Sequence, residues 1–184
     1  MTRLAGWFLL LLCHAAASWA DDYGFVVKRA ELVHRGDSYV LNADVNYRFS
    51  QAAIDALQHG VPLTLVAHFK IKRQRSYWPD ETILSQSRKF RIRYHPLAKS
   101  YQLLNEDRGV PQSFAGLYAL ITAMGEIRGW TVAPVTPLEP GNEYWASLAV
   151  NLDIEALPLP LRPVAYVSPS WYLGSPTFRW RVEN

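Results

Sequence analysis

The feature that most limits the possible folds is a repeated alternation of apolar and polar residues. It runs through residues 39–49, 63–72, 89–94, 144–152 and 178–182. Successive side chains of a β-strand point to opposite faces, so each of these segments predicts a strand with one buried face. Strands of this kind are typical of packed antiparallel sheets in which one face is solvated.

Turn residues between these segments predict how the strands pair. Residues 35–38 form a turn after a strand around residues 25–34, which predicts a first β-hairpin. Residues 63–72 and 89–94 are expected to pair across a loop at residues 76–85. The last strand is expected at a sheet edge.

Two segments carry helical patterns. Ser50 precedes the apolar residues of a short helix over residues 52–57, and Gly60 follows it, which is typical of a capped helix. From Ser113 to Ile127 apolar residues recur at helical spacing, which predicts a second, largely buried helix. We expect these two helices to be insertions between strands.

Three prolines mark the segment at residues 157–163, namely Pro158, Pro160 and Pro163. They predict an extended, polyproline-like crossing rather than a helix or a central strand.

The pattern of strands and helices along the whole chain predicts a mostly β fold. We expect an antiparallel β-sandwich, immunoglobulin-like in general architecture, with two helical insertions. The apolar phase of the strands predicts five buried side chains: Tyr47, Phe69, Ile92, Leu148 and Trp180.

The N-terminus has the layout of a secretory signal peptide. Arg3 precedes an apolar run from Leu4 to Ala17, and Ser18 and Ala20 supply the small side chains that signal peptidase requires. We therefore expect a signal peptide at residues 1–20, cleaved after Ala20. The remaining residues, 21–184, are the size of a single β-rich domain.

Two alternatives for this segment are weaker. A lipoprotein signal ending at Cys13 needs a small residue before the cysteine, and Leu12 is too bulky. An uncleaved anchor needs roughly 18 apolar residues without interruption, and His14 to Trp19 dilutes the run. The expected location is therefore the periplasm.

The expected cleavage also removes Cys13, the chain's one cysteine. The mature chain would then form neither disulfides nor a cysteine metal site, which is common for periplasmic domains with a sufficient core. Its 18 basic and 16 acidic residues nearly balance, so net charge indicates no class of partner. No later apolar segment is long enough to cross a bilayer.

Five sequence blocks stand out along the chain. In chain order they are AIDALQHGVPL (53–63), RQRSYW (73–78), RYHPL (93–97), LD with LPLPLR (152–153 and 157–162) and WYLGS (171–175). Together they resemble the signature blocks of a proteobacterial family of exported proteins, the domain of unknown function 4390. The resemblance implies an envelope location and genes that often neighbour a two-component sensor kinase. It implies no activity and assigns no site residues.

Motifs for catalysis, cofactors and metals are missing from the sequence. It has no glycine-rich phosphate loop, no serine nucleophile elbow and no His-Glu-x-x-His motif. Of the histidines left after cleavage, only His68 and His95 could meet, and a metal site needs more ligands. Asp44, Glu143 and Asp153 are expected to be solvated strand residues rather than a catalytic pair. We expect no catalytic, cofactor or metal site.

An unusual group of cations lies on one face of the predicted hairpin: Lys70, Lys72, Lys89, Arg91 and Arg93. If the apolar residues of the two strands face one another, so do these cations, and like charges across strands are destabilising. Carboxylates or salt could offset the repulsion. Alternatively the face docks an anionic partner, which could be an acidic protein surface, lipid headgroups or an envelope polymer. Nucleic acid is not expected outside the cytoplasm.

Aromatic residues give a second indication. Trp78 and Tyr77 lie in the predicted hairpin loop, and Trp171 lies in a loop rich in serine and proline. Each tryptophan either fills an end of the sandwich or is exposed as a binding anchor. The candidate partner-binding residues are therefore Lys70, Lys72, Trp78, Lys89, Arg91 and Arg93.

The sequence favours a non-enzymatic periplasmic binding domain, associated through its family resemblance with an envelope-sensing two-component system. Two alternatives stay open: an enzyme of unrecognised type acting on envelope polymers, and a purely structural envelope module. A deep cleft with convergent titratable groups would favour the enzyme. A flat basic sheet face would favour binding.

We expect the exported protein to begin at Asp21 and to fractionate with the soluble periplasm, because Ser18 and Ala20 fit the signal peptidase. N-terminal sequencing of the exported species locates the cut. A lipid-modified Cys13, or an intact Met1 in the membrane fraction, would contradict this assignment.

Overall fold

The computed structural model describes residues 23–36, 38–107, 109–134, 138–139 and 141–182. The predicted signal peptide and its cut lie outside these residues. Within the described part the chain forms nine β-strands, three α-helices and three short 3-10 turns.

The strands are β1 (Gly24–Arg35), β2 (Ser38–Arg48), β3 (Leu63–Arg73), β4 (Glu81–His95), β5 (Ser100–Asn105), β6 (Gln112–Phe114), β7 (Glu126–Pro134), β8 (Tyr144–Leu152) and β9 (Phe178–Arg181). The helices are α1 (Gln51–Gln58), α2 (Leu117–Gly125) and α3 (Arg162–Val167). The 3-10 turns cover Ile154–Ala156, Leu159–Leu161 and Pro169–Trp171.

The strands form two antiparallel sheets, and the chain is mostly β, as predicted. The smaller sheet has the order β1-β2-β7, and the larger has the order β6-β5-β4-β3-β8-β9. The hairpin of β1 and β2 is confirmed, with Arg35 opposite Ser38 at its turn. The last strand, β9, lies at an edge of the larger sheet, also as predicted.

The apolar faces of the two sheets stack into a β-sandwich with a shared core. The ring of Phe69 in β3 lies 6.3 Å from the ring of Trp130 in β7, so side chains from the two sheets meet. The burial prediction is confirmed for four residues: Tyr47, Phe69, Ile92 and Leu148. It is wrong for Trp180, which is only partly buried because β9 is an edge strand.

The pairing of β3 with β4 overturns one prediction. β4 begins at Glu81, well before the predicted strand, so the register differs from the expected one. Lys70 lies opposite Ser85, and Lys89 lies opposite Val66. The predicted arrangement, with cations facing one another across the hairpin, is therefore wrong.

The sequence pattern does not predict the start of β4, because polar residues occupy both faces of this part of the strand. Within residues 81–88 the side chains of Ser85 and Gln86 point to opposite faces, so no apolar alternation marks this half of the strand. Backbone pairing with β3 holds it in place instead.

Helix α1 forms as its capping residues predict. The Ser50 hydroxyl accepts a hydrogen bond from the Ala53 backbone N–H at 3.3 Å, and Leu57 is buried on the inner face. Gly60 follows with a positive φ of 85°, a conformation that glycine adopts without strain.

Helix α2 is shorter and less buried than predicted. It ends at Gly125, and Ile127 is a buried residue of strand β7. The exposed Tyr118 shows that only one face of the helix is covered. Gly125 permits this close packing, since a Cβ there would lie 2.6 Å from the Val45 carbonyl oxygen.

A third helix, α3, is present in addition to the two predicted helices. It replaces part of the predicted polyproline-like crossing, so the prediction that prolines exclude a helix there was wrong. Pro163 lies in the first turn of α3, where a backbone N–H has no helical partner to lose. Pro160 lies within the preceding 3-10 turn. Prolines thus begin these turns instead of preventing them.

One charged side chain of β4 points inward. Arg88 is buried, and its Nε donates a hydrogen bond to the Asp107 carboxylate at 2.5 Å. Its guanidinium lies 4.7 Å from the centre of the Trp130 ring. A carboxylate and an aromatic face together compensate this cation for the loss of water.

The Tyr47 hydroxyl is buried and has no hydrogen-bond partner among the described residues. Its ring lies against Phe25, with the ring centres 4.9 Å apart. Burial raises the pKa of Tyr47 well above its ordinary value of 10.0, because the phenolate would lose its hydration.

We expect Tyr47→Phe to increase the free energy of unfolding by about 1 kcal/mol at neutral pH, because an unpaired buried hydroxyl costs roughly 1–3 kcal/mol. Above pH 10 the unfolded tyrosine ionises while the folded one stays protonated, so wild-type stability falls as the pH rises. The phenylalanine variant lacks this component, and its advantage should grow. Urea unfolding at neutral and alkaline pH measures both effects. A variant less stable at both pH values would mean that the hydroxyl has a partner.

Candidate functional site

The outer face of the larger sheet contains an open depression of about 510 Å³, which we call the basic trough. Its lining residues come from β3, β8, β9 and the segments beside them: His68, Lys70, Lys72, Asp80, Ser147, Ala149, Thr177 and Arg179. Three of these side chains are lysine or arginine, and one is a carboxylate.

Strand register explains why these cations gather. β8 lies between β3 and β9, and the pairing places Lys70, Ser147 and Arg179 in one row across the three strands. Adjacent strands are about 4.8 Å apart, so the backbones that carry the two cations are separated by roughly 10 Å. Lys72 and Trp145 begin the next row.

The floor of the trough is low because β8 carries short outward side chains. Ser147 and Ala149 alternate with Leu148, which points inward and is fully buried. The longer side chains of Lys70 and Arg179 rise on either side of this floor. The trough is thus the outer phase of the strands whose inner phase forms the core.

The charges of the trough are incompletely compensated. Among the described residues, neither Lys70 nor Lys72 has a carboxylate within ion-pair distance. Arg179 approaches Asp80 at 4.0 Å, the outer limit for an ion pair, and its guanidinium lies 5.5 Å from the Trp145 ring centre. The trough therefore presents available positive charge to the solvent.

The other predicted cations lie elsewhere on the same face. Lys89 pairs with Asp153 at 3.7 Å, and Arg91 pairs with Glu106 at 2.9 Å. Arg93 is exposed and lies opposite Gln102 of β5. Carboxylates thus interleave with the cations at this end, which was one of the two alternatives considered above.

The loop between β3 and β4, residues 74–80, has a firmly held base. Arg73 donates a hydrogen bond to Glu81 at 2.5 Å, and Arg75 binds the same carboxylate. These hydrogen bonds, from Arg73 first and then Arg75, lower the pKa of Glu81. The hydrogen bond between Arg73 and Glu81 also raises the pKa of Arg73. Gln74 adds two further links, since its N–H donates to the Glu143 carbonyl and its side-chain oxygen accepts from Trp145, each at 2.9 Å.

The tip of this loop is aromatic and open to solvent. Tyr77 is 95% exposed and Trp78 is 74% exposed. Asp80, which lines the trough, follows Trp78 by two residues. The aromatic tip therefore adjoins the cations. Trp171, the other candidate anchor, is buried.

The structure therefore brings together Lys70, Lys72 and the loop of Trp78, and it separates them from Lys89, Arg91 and Arg93. Sequence reasoning missed Arg179. Its alternation with Phe178 and Trp180 did place it on an outward phase, but the sequence does not show which strand lies beside β9.

Neither a group of metal-ligating side chains nor a membrane-spanning helix is found among the described residues. Among the described residues, no three His, Cys, Asp or Glu side chains are grouped closely enough to hold a metal ion. No helix in that part of the chain is both long and apolar enough to span a membrane.

No curated protein and no solved structure matched the chain. The family model described as Domain of unknown function (DUF4390) matches residues 22–181, which include both sheets, the trough and the aromatic loop. The chain therefore belongs to the DUF4390 family.

Proposed function

We propose that this chain is a non-enzymatic binding domain of the periplasm that holds an anionic partner in the basic trough. The observation that carries the proposal is the placement of Lys70, Lys72 and Arg179 around an open floor of small side chains. Exposed cations gathered in this way raise the local concentration of anions. The aromatic loop beside them supplies a contact of another kind, since exposed tryptophan is a common anchor in interfaces.

The distances between the cations indicate that the trough is stable without its partner. Lys70 and Arg179 are separated by one strand, roughly 10 Å, and the Debye length in physiological salt is about 8 Å. Salt therefore weakens their repulsion. Lys70 and Lys72 are closer, roughly 7 Å apart along one strand, but two exposed charges at that distance in water repel by less than about 1 kcal/mol. The site thus needs no ligand to fold, and an anion that reaches it meets a preformed surface.

The shape of the trough favours an extended partner. Small-molecule sites usually enclose most of their ligand, whereas this floor is open along β8 between flanking cations. We therefore favour an anionic envelope polymer, with the acidic face of a periplasmic protein as the alternative. The periplasmic location rests on the signal-peptide pattern of residues 1–20. Association with a two-component system is part of the proposal and rests on the family resemblance.

We expect the double substitution Lys70→Gln and Lys72→Gln to weaken binding of dextran sulfate, a linear polyanion, by about tenfold, which is roughly 1.4 kcal/mol. Two charge contacts at the protein surface, at up to about 1 kcal/mol each, account for that size. The salt dependence of binding should also become shallower. Titration at several salt concentrations measures both quantities.

The matched control removes the same charge from the opposite end of the face, through Lys89→Gln and Arg91→Gln. Both of these cations already pair with carboxylates, so their loss should weaken binding much less. Equal weakening by the two double variants would contradict the proposal, because net charge rather than the trough would then govern binding. Urea unfolding of both variants checks that the fold is intact.

A further inference from the structure

The segment from Ala156 to Phe178 contains 23 residues, and Arg162 is its only charged residue. About a quarter of residues in globular proteins are charged. The segment includes α3 and two of the 3-10 turns. A surface stretch of this length with one charge is a candidate contact region.

Several large apolar side chains of this segment are exposed, and we call them the apolar end patch: Leu159, Val164, Tyr166, Val167 and Tyr172. Leu159 is 72% exposed and Val167 is 80% exposed. Single exposed apolar residues are ordinary, but contiguous groups of them mark interaction sites. Helix α3 contacts both 3-10 turns of the segment, and the Tyr172 hydroxyl donates a hydrogen bond to the Tyr166 carbonyl, so these side chains adjoin one another.

The patch is held rigidly by the residues beneath it. Ala165 and Trp171 are buried in the core. The Arg162 Nε donates a hydrogen bond to the Leu157 carbonyl at 2.9 Å, and the Ser50 hydroxyl donates to the Ser170 carbonyl at 2.6 Å. The apolar side chains are thus presented on a fixed surface.

Exposed cations lie at the same end of the sandwich. The pairing of Ile92 with Leu63 places the end of β4 beside the start of β3, and β8 ends there too. Beyond the end of β4, the turn between β4 and β5 presents the fully exposed Leu97. Arg93 precedes Leu97 and Lys99 follows it, and both are exposed.

Acidic residues lie at this end of the sandwich too, but Glu155 pairs with Arg162 at 3.5 Å and Asp55 accepts a hydrogen bond from Gln51 at 2.7 Å. Among the described residues, neither Arg93 nor Lys99 has a carboxylate within ion-pair distance. This end of the molecule therefore combines apolar side chains with two uncompensated cations.

The N-terminal part of the chain joins the domain at this end as well. The Phe25 backbone N–H donates to the Gly174 carbonyl at 3.1 Å, two residues after Tyr172 of the patch. Residues 1–22 precede this point and include the apolar run from Leu4 to Ala17. The predicted leader therefore precedes the domain at the end that carries the patch.

We propose that the apolar end patch docks on the surface of a bilayer that contains anionic lipids. Tyrosine favours the membrane–water interface, and Arg93 and Lys99 match anionic headgroups. A second copy of the chain fits less well, because a two-fold interface would bring the cations of one copy towards those of the other. The docking is peripheral and reversible, since so small an apolar area gives only marginal membrane affinity.

This inference rests on the proposed envelope location and does not depend on the basic trough. The test uses the exported protein, whose first residue is known from N-terminal sequencing, and flotation with vesicles of phosphatidylcholine and phosphatidylglycerol. We expect a measurable fraction of the wild type to float with the vesicles, with the rest staying in the soluble fraction. The double substitution Leu159→Asp and Val167→Asp should reduce the bound fraction by about tenfold, because two aliphatic contacts are lost.

Two controls locate the effect. Tyr77→Asp alters an exposed aromatic residue at the opposite end of the sandwich, and Lys70→Gln with Lys72→Gln removes trough charge. Both should float like the wild type. The patch variant should unfold at the wild-type temperature and bind dextran sulfate normally, which separates this proposal from the proposed function.

Three results would overturn the docking proposal. The wild type could fail to float, which would mean that the patch has no affinity for this bilayer. The controls could lose binding while the patch variant keeps it, which would move the contact to the trough or the aromatic loop. Light scattering could show that the patch variant dissociates a dimer, which would make the patch a contact between copies.

Discussion

Strand β3 is paired on both sides, with β4 and with β8, and this double pairing determines both faces of the larger sheet. A slip of one residue would exchange the faces. In the observed register Phe69 and Ile71 are buried and Lys70 points to solvent. The slipped register would bury an unpaired ammonium group, at a cost of several kcal/mol. The core and the basic trough are therefore two consequences of one register.

Local patterns predicted the parts of the fold that depend on neighbouring residues. The alternation along residues 63–72 identified both the strand and its buried phase, because the side-chain period of a strand is local. The start of β4 was missed because pairing with β3, rather than burial, holds residues 81–88. Helix α3 was missed because the rule against proline applies to helix interiors, and Pro163 lies in the first turn.

The candidate site was predictable only in part, because its residues come from strands that are distant in the sequence. Lys70 and Lys72 stand out by charge and phase within one strand, and Trp78 stands out by its place in a loop. Arg179 joins them only because β9 pairs with β8, and strand order is a long-range property of the fold. The partners of Lys89 and Arg91, Asp153 and Glu106, also come from other elements. Which cations stay uncompensated is thus decided by tertiary structure.

The arrangement of the two proposed surfaces bears on what the trough can bind. β3 runs from the end that carries the apolar patch towards the aromatic loop, and its 11 residues span roughly 35 Å. With the patch on a bilayer, Lys70 would stand about 20 Å from the membrane end of the strand. That distance exceeds two Debye lengths of about 8 Å each, so headgroups of the same bilayer would attract the trough only weakly. Of the three anionic partners that the cations allow, lipid headgroups are then the least suited to the trough, and a polymer or protein that approaches from the periplasm is favoured.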